Sequence, residues 1–148
     1  MTRFVPALSA PVLLVAAALL GATAARAAAP DWNAVADVGT IEILSTNEDG
    51  SKRETTIWLI VVEGQGYVRT GSTRWGANVE RDPEVVVRIE GAEYPLRAER
   101  VTDSALVERL NQAFRAKYGF SDAITGLFRW GEPRLMRLVP AAGLGPVR

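Results

Sequence analysis

Two absences set the side chains available for chemistry: the chain contains no cysteine and no histidine. Without Cys there is no disulfide, thiol nucleophile, iron–sulfur cluster or thiolate zinc site. Without His there is no imidazole base, no triad of the usual kind and no His-ligated metal or haem. Chemistry is left to Arg, carboxylates, Tyr, hydroxyls, backbone N–H groups or a borrowed cofactor. Tyr67, Tyr94 and Tyr118 could each donate a proton, but nothing beside them in sequence marks one as perturbed. Glu80, Asp82 and Glu84 are close together and, with Arg81 among them, read as surface charges. No D-x-D-x-D-G loop is present, so no metal site is expected. No nucleophile elbow or S-x-x-K motif supports a Ser or Thr hydrolase.

The densest mixture of polar donors is the run TGSTRWGANVERDPEVVV from Thr70 to Val87, which follows a strand-like YVRT. Each of its polar residues has an ordinary structural reading. Arg69 and Arg74 can be solvated charges. Ser72 and Thr73 can satisfy loop backbone, as such residues commonly do in turns. Trp75 can pack a core, and Asn78 can cap a helical turn.

The elements that must position these residues are read from hydrophobic period. Ile41 to Ser45 alternates apolar and polar, as a half-buried strand does. Asn47-Glu48-Asp49-Gly50 is a turn signal. Thr55 to Val62 (TTIWLIVV) is β-branched and aromatic, and its continuous apolar character predicts burial on both faces. Glu63-Gly64-Gln65-Gly66 is a tight connection to a return strand, Tyr67 to Thr70. Gly71 to Asp82 has no strand pattern and predicts a helical turn ending before Pro83. Glu84 to Ile89 and Tyr94 to Val101 form a second hairpin, in which Pro95 removes a ladder donor and demands an edge, a late start or a bulge. Asp103 is placed as the N-cap of a helix running to about Tyr118, with Leu106, Leu110, Ala113, Phe114 and Lys117 on one stripe and Gly119 just beyond its end. Ser121 or Asp122 can cap a further short turn. Arg134 to Val139 is the last strand, and a loose tail follows. Six antiparallel strands with one packing helix predict a small closed barrel of the mainly β (α+β) class.

The front of the chain differs in kind. Arg3 precedes an uncharged apolar run, Val12 to Leu20, and Ala25-Arg26-Ala27 fits an A-x-A cleavage pattern. The expected organisation is a secretory signal peptide over 1–27 and a single barrel domain over 28–148, exported to the periplasm or the medium. Ala22-Thr23-Ala24 is the other candidate cleavage site, and an uncleaved membrane anchor is the alternative. The whole chain of 148 residues carries 17 basic and 17 acidic residues, so no net field recommends a nucleic acid partner. Hydrophobic residues make up 48% and charged residues 23%, values that argue for a folded chain.

At Thr70 to Val87 the sequence resembles the split β-barrel superfamily of pyridoxamine-phosphate oxidases and deazaflavin-dependent nitroreductases. The points of resemblance are the Thr/Ser/Gly loop with basic Arg74, the Asp82-Pro83 pair opening the next strand, and Trp75 and Asn78, which resemble the W-x-x-N element of the nitroreductase branch. The wider order, with VTD before a helix ending in KYG, is similar to an uncharacterised branch known as DUF2255. The resemblance implies FMN or the deazaflavin F420 held by its phosphate, usually at a homodimer interface. By position it implies that Arg69, Thr70, Ser72, Thr73 and Arg74 meet the phosphate, that Trp75 walls the pocket and that Asn78 positions polar groups. Thr55, Thr56 and Trp58 are weaker candidates for the ring, and Trp58, inside the apolar run, also reads as core. A bound flavin would supply redox chemistry without any His or Cys. The competing expectation is an exported split-barrel protein with no cofactor, binding a small ligand or serving as a structural dimer.

Overall fold

The computed structural model describes residues 29–119 and 133–141. The leader and its cleavage sites, the turn at Ser121 or Asp122 and the tail lie outside the described residues. Six strands and two helices follow one another as β1 (Thr40–Thr46), β2 (Lys52–Val62), β3 (Gln65–Thr70), α1 (Arg74–Arg81), β4 (Glu84–Ile89), β5 (Ala92–Arg100), α2 (Ser104–Tyr118) and β6 (Arg134–Pro140). The strands close into a barrel in the order β1-β2-β3-β6-β5-β4, and every pairing is antiparallel.

Each hairpin turns where a residue can take positive φ. Glu63 and Gly64 (φ 52 and 70) join β2 to β3, and Glu90 and Gly91 (φ 49 and 85) join β4 to β5. Two consecutive residues of this kind match the right-handed twist of the flanking strands. They also lengthen β3 and β5 beyond the expected starts at Tyr67 and Tyr94, to Gln65 and Ala92. Pro95 is tolerated inside a barrel because of where its missing donor falls. Its carbonyl accepts from Ala141 N–H, so its nitrogen faces β6, and the β5–β6 ladder ends one residue away at Leu96↔Pro140.

Alternation sorts the side chains into two cores. Ile43, Leu59, Val68, Val87, Leu96 and Leu138 fill the barrel interior, which Trp75 and Val79 of α1 close at one end and Trp32 at the other. The second core lies outside the wall. There Leu106, Leu110 and Phe114 of α2 cover Ile60, Tyr67 and Leu135. The expected two-sided burial of β2 therefore holds only in its middle; its first residues, from Lys52 to Thr56, are exposed or half-buried. Two devices hold the end of α2. Lys117 Nζ donates to the carbonyls of Ala36, Val38 and Leu59 (2.9, 2.6 and 2.9 Å), and Tyr118 stacks on Trp58 with centroids 4.3 Å apart. Among the described residues no helix is long and apolar enough to cross a membrane.

Candidate functional site

The run that begins at Thr70 folds over one mouth of the barrel. Thr73 is the N-cap of α1: its hydroxyl accepts from Gly76 N–H (3.1 Å) and shares a hydrogen bond with Thr70 Oγ1 (2.7 Å). A Cβ on Gly76 would stand 2.6 Å from Thr70 Oγ1, so glycine lets the helix sit this close to the end of β3. Trp75 and Val79 enter the barrel core. Asn78 is buried, and its amide donates to Ser45 Oγ (3.1 Å) and Asn47 Oδ1 (2.9 Å) while its carbonyl accepts from Arg81 (3.2 Å). Arg81 also donates to Thr46 O. On the other side, Arg134 donates to Gly71 O (2.7 Å) and ion-pairs with Glu80. Polar bonds at both flanks thus fix α1 as a lid on the mouth.

Between this lid and the β1–β2 hairpin lies a cavity of about 470 Å³, walled by Asn47, Glu48, Asp49 and Arg53 on one side and by Arg74, Ala77 and Asn78 on the other. That volume lies within the range of small-molecule sites. Its carboxylates are engaged locally. Asp49 accepts from the hydroxyl and the N–H of Ser51 (2.6 and 2.9 Å), which holds its carboxyl below the ordinary value, and Glu48 faces Arg81 at 3.8 Å. Arg53 makes only a long bond to Asn47 Oδ1 (3.4 Å), and exposed Arg74 forms no ion pair among the described residues. Two guanidinium groups therefore face a polar cavity in which the acids are otherwise occupied. This arrangement suits a bidentate oxyanion such as phosphate.

The structure brings some of the expected residues together and separates others. Arg74 and Asn78 line the cavity, while Thr70 and Thr73 build the cap beneath it. Ser72 is exposed and does not line the cavity, and Trp75 is buried in the barrel core. Arg69 lies apart from this group. It leaves the outer face of β3, its guanidinium 4.2 Å above the Phe114 ring and donating to Asn111 Oδ1 (3.4 Å) under α2. Trp58 and exposed Thr56 also face outward, with Trp58 occupied by Tyr118. Asn78 acts mainly as a positioning residue, since both amide donors are committed. Arg53 and Asn47 join the site although neither is among the expected site residues, Asn47 reading only as part of a turn signal. The available signal was phase: Arg53 is an even number of residues from Ile57 and Leu59, which face the interior.

This closed six-stranded antiparallel barrel with its packing helix is a split β-barrel. Solved structures share the fold at low identity. One is a conserved hypothetical protein from Mycobacterium tuberculosis (18% identity, TM-score 0.61, 80% of this chain and 84% of that one). Another is HutZ, the haem storage protein of Vibrio cholerae (19%, 0.55, 70% and 82%). A third is an FAD-binding protein from Mesorhizobium loti (13%, 0.52, 74% and 87%). No curated protein matches the sequence. The family model described as "Uncharacterized protein conserved in bacteria (DUF2255)" matches residues 31–131, and the chain belongs to that family.

Proposed function

We propose that the protein is a flavin- or deazaflavin-dependent oxidoreductase of the split-barrel type, with the cofactor phosphate held at the barrel mouth by Arg74 and Arg53. The cavity between α1 and the β1–β2 hairpin carries this reading, because two guanidinium groups line it while the Asp49 carboxylate is held by Ser51 and Glu48 faces Arg81. When bound, the flavin would supply the electron transfer that a chain without His or Cys cannot perform alone. The same absence favours a flavin over the haem stored by HutZ, since His and Cys are the commonest protein ligands to haem iron.

Only the phosphate end fits within one chain. Among the described residues Ala77 is the lone apolar side chain of the cavity wall, so the ring would need a second surface. A homodimer, as in the similar structure described as a domain-swapped dimer, would provide one. The polar wall also favours a second reading, a non-catalytic exported protein that binds a small phosphorylated ligand. In both readings the apolar leader directs export.

Titration of the purified protein with FMN, riboflavin and F420, followed by fluorescence, tests the assignment. FMN or F420 should bind saturably and riboflavin about tenfold or more weakly, because it lacks the charge-assisted contacts. Arg74→Ala and Arg53→Ala should each weaken binding without lowering the melting temperature. Equal binding of FMN and riboflavin, or no binding of any of the three, overturns the phosphate site. Transfer of electrons from an added donor to an added acceptor through the bound cofactor separates enzyme from binder.

A further inference from the structure

A second cavity, of about 220 Å³, lies between the end of β5, the start of α2 and β6, away from the mouth site. It is too small for a flavin or other drug-sized ligand. Four charged side chains border it: Glu99, Arg100, Asp103 and Arg137. Two of them are committed. Asp103 is the N-cap of α2, accepting Leu106 N–H at 2.7 Å, and Arg100 faces Glu80 at 3.8 Å.

The other two are not. Arg137 is half-buried on the outer face of β6, and its Nε is buried with no hydrogen-bond partner among the described residues. Its described contact is the Tyr67 ring, 5.8 Å from the guanidinium carbon. Three other half-buried arginines have carboxylate partners: Arg88 meets Glu42, Glu54 and Glu93, Arg97 meets Glu84, and Arg134 meets Glu80. Glu99 is the cross-strand partner of Arg137 and has the right sign, yet no ion pair joins them among the described residues. A positive and a negative group thus stand at one cavity with the space between them open. A partly desolvated charge gains more from a hydrogen-bonded counter-charge than an exposed one does.

We propose that this cavity binds a small zwitterion, such as a short α-amino acid, with its carboxylate against Arg137 and its ammonium against Glu99. The bordering charges cancel, so a ligand of zero net charge and split poles leaves none of them unmatched. A simple anion would satisfy Arg137 while facing the Glu99 carboxylate, and a simple cation would do the reverse. Thr102, whose hydroxyl makes no hydrogen bond among the described residues, adds a donor at the rim.

Backbone amide shifts of the labelled full chain, titrated with alanine, acetate and methylammonium at millimolar concentration, test this. Alanine should shift the amides of Thr102 and Arg137 saturably, with acetate and methylammonium about tenfold weaker. Arg137→Gln should abolish the alanine response and leave FMN affinity unchanged, which separates failure here from failure of the mouth site. Exposed Glu99→Gln, which spares the fold, should weaken alanine and strengthen acetate. No saturable shift with alanine, acetate binding as tightly as alanine, or a response indifferent to Glu99→Gln would each overturn the proposal.

Discussion

Gly66 lies in β3 against the ring of Trp32, and a Cβ built there would overlap the ring atoms. Both residues are buried, so neither side can yield into solvent. Gly66→Ala should destabilise the fold by about 1–3 kcal/mol through overpacking. In a Trp32→Ala background the same change should cost much less, which a double-mutant cycle in urea would read. Tyr118 offers a second test at this scale. Its hydroxyl lies 2.6 Å from the carbonyl oxygens of Gly39 and Leu59 and accepts Leu59 N–H at 3.1 Å. Burial pushes its pKa above the ordinary phenol value, against a smaller opposing effect of the Leu59 hydrogen bond. A folded-state pKa raised above the unfolded one contributes stability below about pH 10 and loses it as pH rises beyond that. Burial also pushes Lys117 down, and that group titrates in both the wild type and a Tyr118→Phe variant. The melting-temperature gap between the two should therefore narrow above pH 10; a gap constant with pH would show that the phenol does not titrate differently on unfolding.

At the scale of elements, the short helix α1 is held by its bonds more than by its length. Eight residues form too short a helix to be stable alone. Thr73→Ala removes the N-cap and the partner of Thr70, and should cost about 1 kcal/mol. Asn78→Ala should cost more, about 2–3 kcal/mol, since it leaves buried Ser45 and its neighbours short of hydrogen bonds. Because Asn78 carries the lid to which Arg74 belongs, that variant should also weaken FMN binding. Arg74→Ala should weaken binding alone. Parallel chemical denaturation and FMN titration distinguish the positioning residue from the ligand-binding one.

For the whole molecule the decisive element is β6. It pairs with β3 through Tyr67↔Arg137 to Thr70↔Arg134, and with β5 through Leu96↔Pro140 to Arg100↔Met136. Among the described residues no other strand bridges β3 to β5, so β6 closes the sheet. Its Met136 and Leu138 complete the interior, and Leu135 completes the floor beneath α2. A chain ending at residue 133 should therefore lose both cores together. Circular dichroism on heating should show no cooperative transition for it. A cooperative melt in that truncated chain would mean that the open five-stranded sheet is stable by itself.

Local pattern in the sequence was enough to fix the elements. Alternation over Ile41 to Ser45, the Glu63-Gly64 and Glu90-Gly91 turns, the Asp103 cap and the α2 stripe are all short-range effects, with causes within a few residues of each other. The composition likewise determined which chemistries the chain lacks. Only the tertiary structure decided which polar residues share a site. Arg69 and Arg74 are five positions apart, yet one leaves the outer face of a strand and the other starts a helix across the mouth. Arg53, distant in sequence, arrives beside Arg74 because barrel closure brings the β1–β2 hairpin against α1. Sequence spacing measures distance along the chain, whereas a binding site depends on distance through space, and in a closed barrel the register of non-neighbouring strands sets that distance.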